Sequence, residues 1–475
     1  MATRASTGNK NNSSERTAAK IRKKIPRIEV KRAESFRSDN PEGKRKLLNL
    51  WRSVTHTPLF NYQMLWFLII ALAVIGLMMQ FSASVILELS AGTNPYWGVA
   101  RPLLIMAVGF AAMVFISRLP ADIFEKVALP VVFPLAIAAQ LAVFTSLGRG
   151  QGGNRNWVYI PGINQVLQPS EFLKVAFILL LVTVFSTGKC RIDSLGDLFK
   201  WVGLPFIIIV ATVMAGHDMG TLLVFVSILL CVLLIAGISL RWLGIGLGLL
   251  SVAAVGAVLS SASRRNRVLS FLHPSQANPT GSGLQPLRAK WGLGTGGLTG
   301  VGPGASRQKW NYLPEAHTDF IYAILGEEFG LFGTLLVLVI FGLLAWVLCR
   351  LIINATHPNT RLCAAGTLGW LVVQALMNIM VVIGFLPVVG VPLPLVSSGG
   401  STALATLLQM GVLLSYLRAE PGVATAVAHR PKYLRTSRAV RLEKRDGKKK
   451  IGTFSRRRNR RSCQPTAGCG SLFAR

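Results

Sequence analysis

YLPEAHTDFIYAILGEEFGLFGTLLVLVIFGLLAWVLC, residues 312 to 349, joins a charged string to a run of Leu, Val, Ile and Phe long enough to cross a bilayer. Glu315, His317, Asp319, Glu327 and Glu328 stand at or near the mouth of that run. An ionised side chain at the centre of a membrane helix costs about 2.5 to 3.5 kcal/mol on insertion scales, so these groups need partners, water or a chemical task. Thr318 or Asp319 can simply cap the helix, the ordinary use of such residues. Glu327 and Glu328 lie two turns further in; at least one must face the bundle interior, where a basic side chain from another span is its expected partner.

Composition agrees with a membrane setting. Of 475 residues, 51% are hydrophobic, yet the formal net charge is +32, a pairing foreign to ordinary soluble domains. The charge sits in the ends: residues 1 to 58 hold 15 Lys/Arg against 5 Asp/Glu, and residues 418 to 475 hold 17 against 3. The polar N-terminus is too long for a typical cleaved signal peptide, so the apolar run from Met64 is expected to be retained as a span. Cys190, Cys231, Cys349, Cys363, Cys463 and Cys469 show no metal-like spacing and are expected as free thiols on the reducing side.

A hydrocarbon core about 30 Å thick needs roughly 20 apolar residues per helix. That ruler gives ten candidates, centred on 64–87, 102–117, 128–147, 170–187, 201–216, 221–239, 243–260, 320–349, 364–384 and 401–417. The expected fold is an all-α integral membrane protein of about ten transmembrane helices, with a long extracytoplasmic loop, about 263–319, between helices 7 and 8. Residues 1–60 and 418–475 are then basic tails around a spanning domain at 61–417. An even number of spans puts both tails on one face. Arg118, Lys126, Lys189, Arg191, Lys200, Arg241, Arg350 and Arg361 fall in short loops on that same face, which the positive-inside rule makes cytoplasmic. The long outward loop is too rich in Gly and Pro for one helix, although Val268 to Leu272 and Leu284 to Trp291 suit short amphipathic pieces. It carries Arg264, Arg265, Arg267, Arg288, Lys290, Arg307 and Lys309, which either follow from translocation of a long loop despite its charge or meet a polyanion such as a pyrophosphate.

Three further outward stretches carry chemistry. GRGQGGNRNWVYIPGINQVLQPSEFLK, residues 148 to 174, ends in a Pro-Ser helix start with Glu171 and Lys174 on one face, where they can neutralise each other. Lys174, one turn into a span, needs either room to snorkel or an anion from elsewhere in the bundle; Trp157 suits an interfacial belt or a platform for a sugar ring. GHDMGTLLV, residues 216 to 224, places Asp218 between two glycines, as a helix cap or as a site residue. FLPVVGVPLPLVSSGGST, residues 385 to 402, breaks the helix with three prolines before Ser398, Gly399 and Gly400, whose backbone N–H groups at a helix start can hold an anion.

Arg155 and Trp157 with QPSEFLK, Asp-Met-Gly-Thr at 218 to 221, LPEAHTDFIYA followed by GEE, Asn378, and GVPLPLVSSGGS occur in one order across residues 60 to 417. In these the chain resembles the SEDS family (shape, elongation, division and sporulation), ten-span polymerases of bacterial peptidoglycan. Ala316 before His317 and Gly326 before the two glutamates are closer to the FtsW and SpoVE form than to RodA, and the long charged tails lean towards the cell-division member, FtsW. The chain departs from the family at His217, where Pro is usual, at Met219, and in GLQPLRAKWG before the glycine-rich loop.

The resemblance implies polymerisation of lipid II into β-1,4-linked glycan strands during septal cell-wall synthesis, with inversion at the anomeric carbon and loss of undecaprenyl pyrophosphate. Such a displacement needs one base, by analogy with inverting glycosidases, and cations for the leaving group. Asp319 is the expected catalytic base and Lys174 the cation expected to hold it. Glu315 and His317 would shape the loop or the acceptor pocket. Arg155 and the loop's basic residues, Lys309 among them, would meet the pyrophosphate. Glu171, Asp218, Trp157, Ser398, Gly399 and Gly400 complete the expected substrate site. No dedicated metal site is read; a divalent cation (Mg2+ or Mn2+) would be held largely by substrate. Expected partners are lipid II, a class B penicillin-binding protein of the FtsI type, other divisome proteins and the membrane, with no nucleic acid. A lipid II transporter is the alternative, and a non-catalytic division scaffold a third; the gathering of motif charges at outward helix ends suits chemistry on one face better than a route through the bilayer.

Overall fold

The computed structural model describes residues 58–428, apart from 91, 93, 152–153, 162–164, 260, 275, 277, 279–280 and 282. The expectations for the two basic tails lie outside the described residues, except that 58–60 begin a helix and that 418–428, assigned above to the C-terminal tail, are helical apart from Glu420. The chain forms α1 (Pro58–Ser90), α2 (Pro95–Arg118), α3 (Ala121–Phe144), α4 (Pro169–Ser186), α5 (Leu195–Ala215), α6 (Met219–Ala236) and α7 (Leu240–Leu259). It continues with α8 (Ala262–Leu272), α9 (Leu284–Gly296), α10 (Ile321–Asn354), α11 (Pro358–Ile383), α12 (Gly400–Ala419) and α13 (Pro421–Ala428).

A helix stands at every one of the ten expected span positions. Among the described residues nine are long and apolar enough to cross a membrane; α7 carries a shorter apolar stretch, Leu240–Gly256. Local chemistry sets the ends. Asn94 accepts from the Tyr96 amide to cap α2, and Ser194 from the Asp197 amide to cap α5. Gly237 and Gly384 take left-handed conformations that terminate α6 and α11. The two basic-loop pieces expected to be helical are α8 and α9, each longer than the apolar run that announced it.

The middle of the bundle is α4, buried on all sides between α3, α11 and α12. α2, α3 and α5 keep most of their apolar surface outward, as lipid-facing helices do. One feature adds to the all-α expectation: between α3 and α4 the chain forms an antiparallel sheet of β1 (Gly148–Gln151), β2 (Asn154–Ile160) and β3 (Gln165–Leu167), in that order. The Gly-rich, Asn-rich composition of 148–156 hides this strand pairing from any hydropathy ruler.

α10 is broken near its start. Gly330 has φ 65 and ψ −158, a region essentially confined to glycine. A Cβ there would also lie 2.5 Å from the Leu298 carbonyl oxygen. The break frees backbone groups that the preceding loop takes up: Val301 and Gly302 amides donate to the Glu327 and Glu328 carbonyls, and Leu331 and Phe332 amides donate to the Gly297 and Leu298 carbonyls. α9 packs alongside, its Gly296 so close to the Gly326 carbonyl that a side chain would not fit.

Candidate functional site

The connections α3–α4, α5–α6, α7–α10 and α11–α12 meet at one end of the bundle. The Arg155 amide donates to the Gly216 carbonyl at 3.0 Å, and the Gln168 amide to Ser401 Oγ at 3.0 Å. Ser398 donates from both its amide and its hydroxyl to the His317 carbonyl, at 3.0 and 2.5 Å, while Ser397 Oγ donates to the Thr318 carbonyl at 2.6 Å. The Ser-Ser-Gly-Gly segment thus clamps the His-Thr-Asp segment before Gly400 begins α12. Among the described residues the four non-glycine positions with left-handed backbone, His217, Asn311, Glu315 and Leu395, lie in these connections. Strain of that kind clusters where surrounding structure over-determines the chain.

Asp319 is the half-buried acid at the centre. Asn378, on α11, donates from Nδ2 to the Asp319 carbonyl and to the Val391 carbonyl, each at 2.7 Å. A side chain at Gly390 would come within 3.5 Å of Asp319 Oδ2. Burial above all, then the nearby charges of Glu315 and Asp218, push the Asp319 carboxyl up to about 7, against a smaller opposing pull from Arg267. Asp218 caps α6: its Oδ1 accepts from the Thr221 amide at 2.9 Å and its Oδ2 from Thr221 Oγ1 at 2.7 Å. Asn156 on β2 donates to the same Oδ2 at 2.8 Å, with Gln168 at 3.5 Å. Burial raises this carboxyl too. On the far side of α6's first turn, Gly220 lets the backbone of Val389 approach, so the 389–391 segment runs from Asp218's helix to Asp319.

Beside the clamp lies a cavity of about 210 Å³ lined by Ala83, Lys309, Asn311, Glu315, Ala316 and His317, among others. Glu315 Oε2 accepts from Thr318 Oγ1 at 2.6 Å. Burial lowers the His317 imidazole, with a partial offset from Glu315.

The family model described as "Cell cycle protein", covering FtsW, RodA and SpoVE, matches residues 62–420. The stage V sporulation protein E of Bacillus subtilis (strain 168) is 34% identical over 355 residues, 73% of this chain and 94% of that one. The chain belongs to the FtsW/RodA/SpoVE family. A protein named probable peptidoglycan glycosyltransferase FtsW, from Trichlorobacter lovleyi, is 32% identical over 349 residues, 73% of this chain and 91% of its own. Among solved structures, a chain of a peptidoglycan synthase complex is similar with a TM-score of 0.60 at 24% identity, covering 75% of this chain and 97% of that one. RodA of Thermus thermophilus has a TM-score of 0.55 at 24% identity, covering 75% and 96%. These two likenesses concern the fold.

Within this FtsW/RodA/SpoVE chain two expected pairings are corrected. Lys174 does not hold Asp319. Its ammonium lies 2.7 Å from Glu171 Oε1, both side chains 1% exposed, and donates to Gln374 Oε1 at 3.1 Å beneath the ring of Trp370. One turn of α4 supplies a nearer anion than the outward loop does, which is the neutralisation that i, i+3 spacing allows. Lys309, expected to meet a pyrophosphate, is engaged within the protein. Its three N–H bonds go to Glu328 Oε1, Ser82 Oγ and the Gly304 carbonyl, at 2.8, 2.8 and 2.7 Å. The partner expected for the glutamates from another span therefore comes from the loop. Glu327 likewise accepts from Ser306 Oγ and from the Arg307 and Gln308 amides.

Arg155 remains exposed at the sheet, donating from Nη2 to the Thr145 carbonyl at 2.8 Å; Trp157, half-buried, pairs with Arg149 across β1 and β2. Sequence reasoning missed Asn156, Gln168, Gln374 and Trp370. Gln374 was findable, because an amide in the middle of an apolar span needs a partner. Its Nε2 donates to the Pro392 carbonyl at 2.8 Å, linking Lys174 to the broken segment before α12. Among the described cysteines, Cys190, Cys231, Cys349 and Cys363 are unpaired thiols; Cys463 and Cys469 lie outside the described residues.

Proposed function

We propose that this protein is a peptidoglycan glycosyltransferase that polymerises lipid II on the outer membrane face, with Asp319 as general base. The observation that carries the reading is the setting of Asp319: an acid at the junction of four outward connections, held by its backbone, with a carboxyl poised near neutrality. A general base works best with a pKa near the working pH. Asp319 takes the proton of the acceptor sugar's 4-hydroxyl. The oxygen attacks the anomeric carbon of the donor strand, the β-1,4 bond forms, and undecaprenyl pyrophosphate leaves with its bonding electrons. The names of the relatives at 32% identity support the reaction class.

The cavity beside His317 and Glu315 suits a ring rich in hydroxyls, and is assigned to the acceptor sugar. A protein-built divalent site does not fit. The described residues contain no group of three His, Cys, Asp or Glu able to hold a metal, and both oxygens of Asp218 are already used by its cap and by Asn156. A Mg2+ or Mn2+ ion would enter with the substrate pyrophosphate, and no step here runs through one.

Counting α7 as a span keeps both ends of the chain on the cytoplasmic face, where Arg118, Lys189 and Arg361 lie. The protein would act at the division septum beside a class B penicillin-binding protein, a reading in keeping with the structural likeness to a chain of a synthase complex. The test is polymerisation of lipid II by the purified protein with that partner, with and without Asp319→Ala. Polymer from the natural chain and none from the variant is expected. Equal polymer from both would remove Asp319 as base, and none from either would favour a transporter or scaffold.

A further inference from the structure

With Lys174 and Lys309 enclosed in ion pairs, the cations facing Asp319 must come from elsewhere. His217 supplies the lead. It takes φ 64, which a proline ring, locked near −65°, cannot adopt, so the residue usual in the family would give this connection another path. Its Nδ1 lies 3.2 Å from Arg264 Nη2 on α8. An imidazole orients a guanidinium without bringing a negative charge. Arg264 and Arg267 are three residues apart and share a face of α8; Arg265 projects about 100° away from it and is exposed. Arg267, half-buried on that face, carries a charge that acts on Asp319. Leu269, on the side of α8 away from these two arginines, is 49% exposed, as expected of a helix lying at the membrane interface.

We propose that Arg264 and Arg267, with Arg264 oriented by His217, form the binding site for the pyrophosphate ester of a lipid substrate. Two planar guanidiniums on one face match phosphoryl oxygens as bidentate donors, which ammonium groups do not. The assignment of a lipid pyrophosphate to this end rests on the glycosyl-transfer reading; the recognition chemistry stands apart from which group is transferred.

The test is saturable binding of labelled farnesyl pyrophosphate to the full-length protein in neutral detergent micelles. Arg264→Gln and Arg267→Gln should each weaken it on the order of tenfold, as for loss of a hydrogen bond to a charged group, and the double variant should abolish saturation. Arg265→Gln should change affinity less than about twofold, as for an exposed charge. Arg264→Lys and Arg267→Lys keep the charge and separate loss of binding from loss of folding: partial binding in both supports the site. Displacement by inorganic pyrophosphate supports recognition of the phosphates. Displacement by phosphatidylglycerol at equal concentration overturns the proposal and gives the arginines to the anionic membrane surface. Undiminished binding in the double variant also overturns it. Lipid II polymerisation is followed separately: arginine-dependent binding without polymerisation sinks the proposed function and leaves this site, whereas polymerisation with arginine-independent binding does the reverse.

Discussion

Asn378 holds Asp319 by the backbone, donating from one amide nitrogen to the Asp319 carbonyl and to the Val391 carbonyl at the same distance, 2.7 Å. The acid's position therefore depends on α11, a helix that contributes no residue to the lining of the cavity beside His317 and Glu315. Asn378→Ala leaves two carbonyls short of a donor, at about 1 to 3 kcal/mol per buried group. Lower thermal stability is expected, with kcat for polymerisation reduced more than KM. Asn378→Asp, which sets an acceptor against two acceptors, should be worse on both counts. Unchanged kcat in a folded alanine variant would show that Asp319 is placed by other contacts.

As the proposed base, Asp319 would give polymerisation a pH dependence with a definite sign. Its carboxyl is raised to about 7, so the base form appears as pH rises, and polymerisation should climb about tenfold per unit below that value and level off above it. Glu315→Gln removes a charge that raises the carboxyl and should move this limb to lower pH; Arg267→Gln removes one that lowers it and should move the limb up. Folding follows the same linkage. The folded state binds the extra proton, so Asp319 costs stability as pH rises from about 4, the unfolded value, to about 7. Asp319→Asn should therefore raise the melting temperature at pH 8 relative to the natural chain, with little difference at pH 4.

The Glu171–Lys174 pair is enclosed within the bundle. Breaking a buried pair from one side typically costs about 3 to 5 kcal/mol, whereas replacing both partners by apolar residues is often neutral. Glu171→Gln should destabilise strongly, and Glu171→Leu combined with Lys174→Met should recover most of the loss in a thermal melt. If the recovered protein still fails to polymerise, the pair acts on the Gln374–Pro392 link rather than on stability alone.

Glu327 organises the loop from below, taking the Arg307 and Gln308 amides at 3.1 and 3.2 Å. Glu327→Ala should speed hydrogen exchange at those two amides, with little change at the amides of α4. Equal protection in both proteins would assign the loop's order to Lys309 and Glu328.

Much of the fold was readable because lipid imposes a length and a polarity on every span. Ten helices stand where apolar runs of about 20 residues announced them. The sheet of 148–167 was not readable, since its strands are short, the first is half glycine, and they pair only to one another. The outward acids were legible as conspicuous charges, but their partners were not. Lys174 sits on the same helix face as Glu171 and also faces the bundle interior, and sequence spacing cannot rank a neighbour one turn away against an acid 145 positions along the chain. Lys309 and Glu328 are joined by a fold-back of the loop, which Gly330 permits and no periodicity announces.

The break at Gly330 bears on how the protein is made. The carbonyls of Glu327 and Glu328 and the amides of Leu331 and Phe332 find their partners in residues 297–302, not within their own helix. Unmatched peptide groups are not tolerated in hydrocarbon. α10 thus cannot settle in the bilayer as an autonomous hairpin arm. It needs the glycine-rich segment already in place, and that segment precedes it in synthesis, leaving the ribosome first. Insertion of α10 is thereby coupled to the placement of the loop before it, so a lesion in Gly297–Gly302 should surface as an insertion defect.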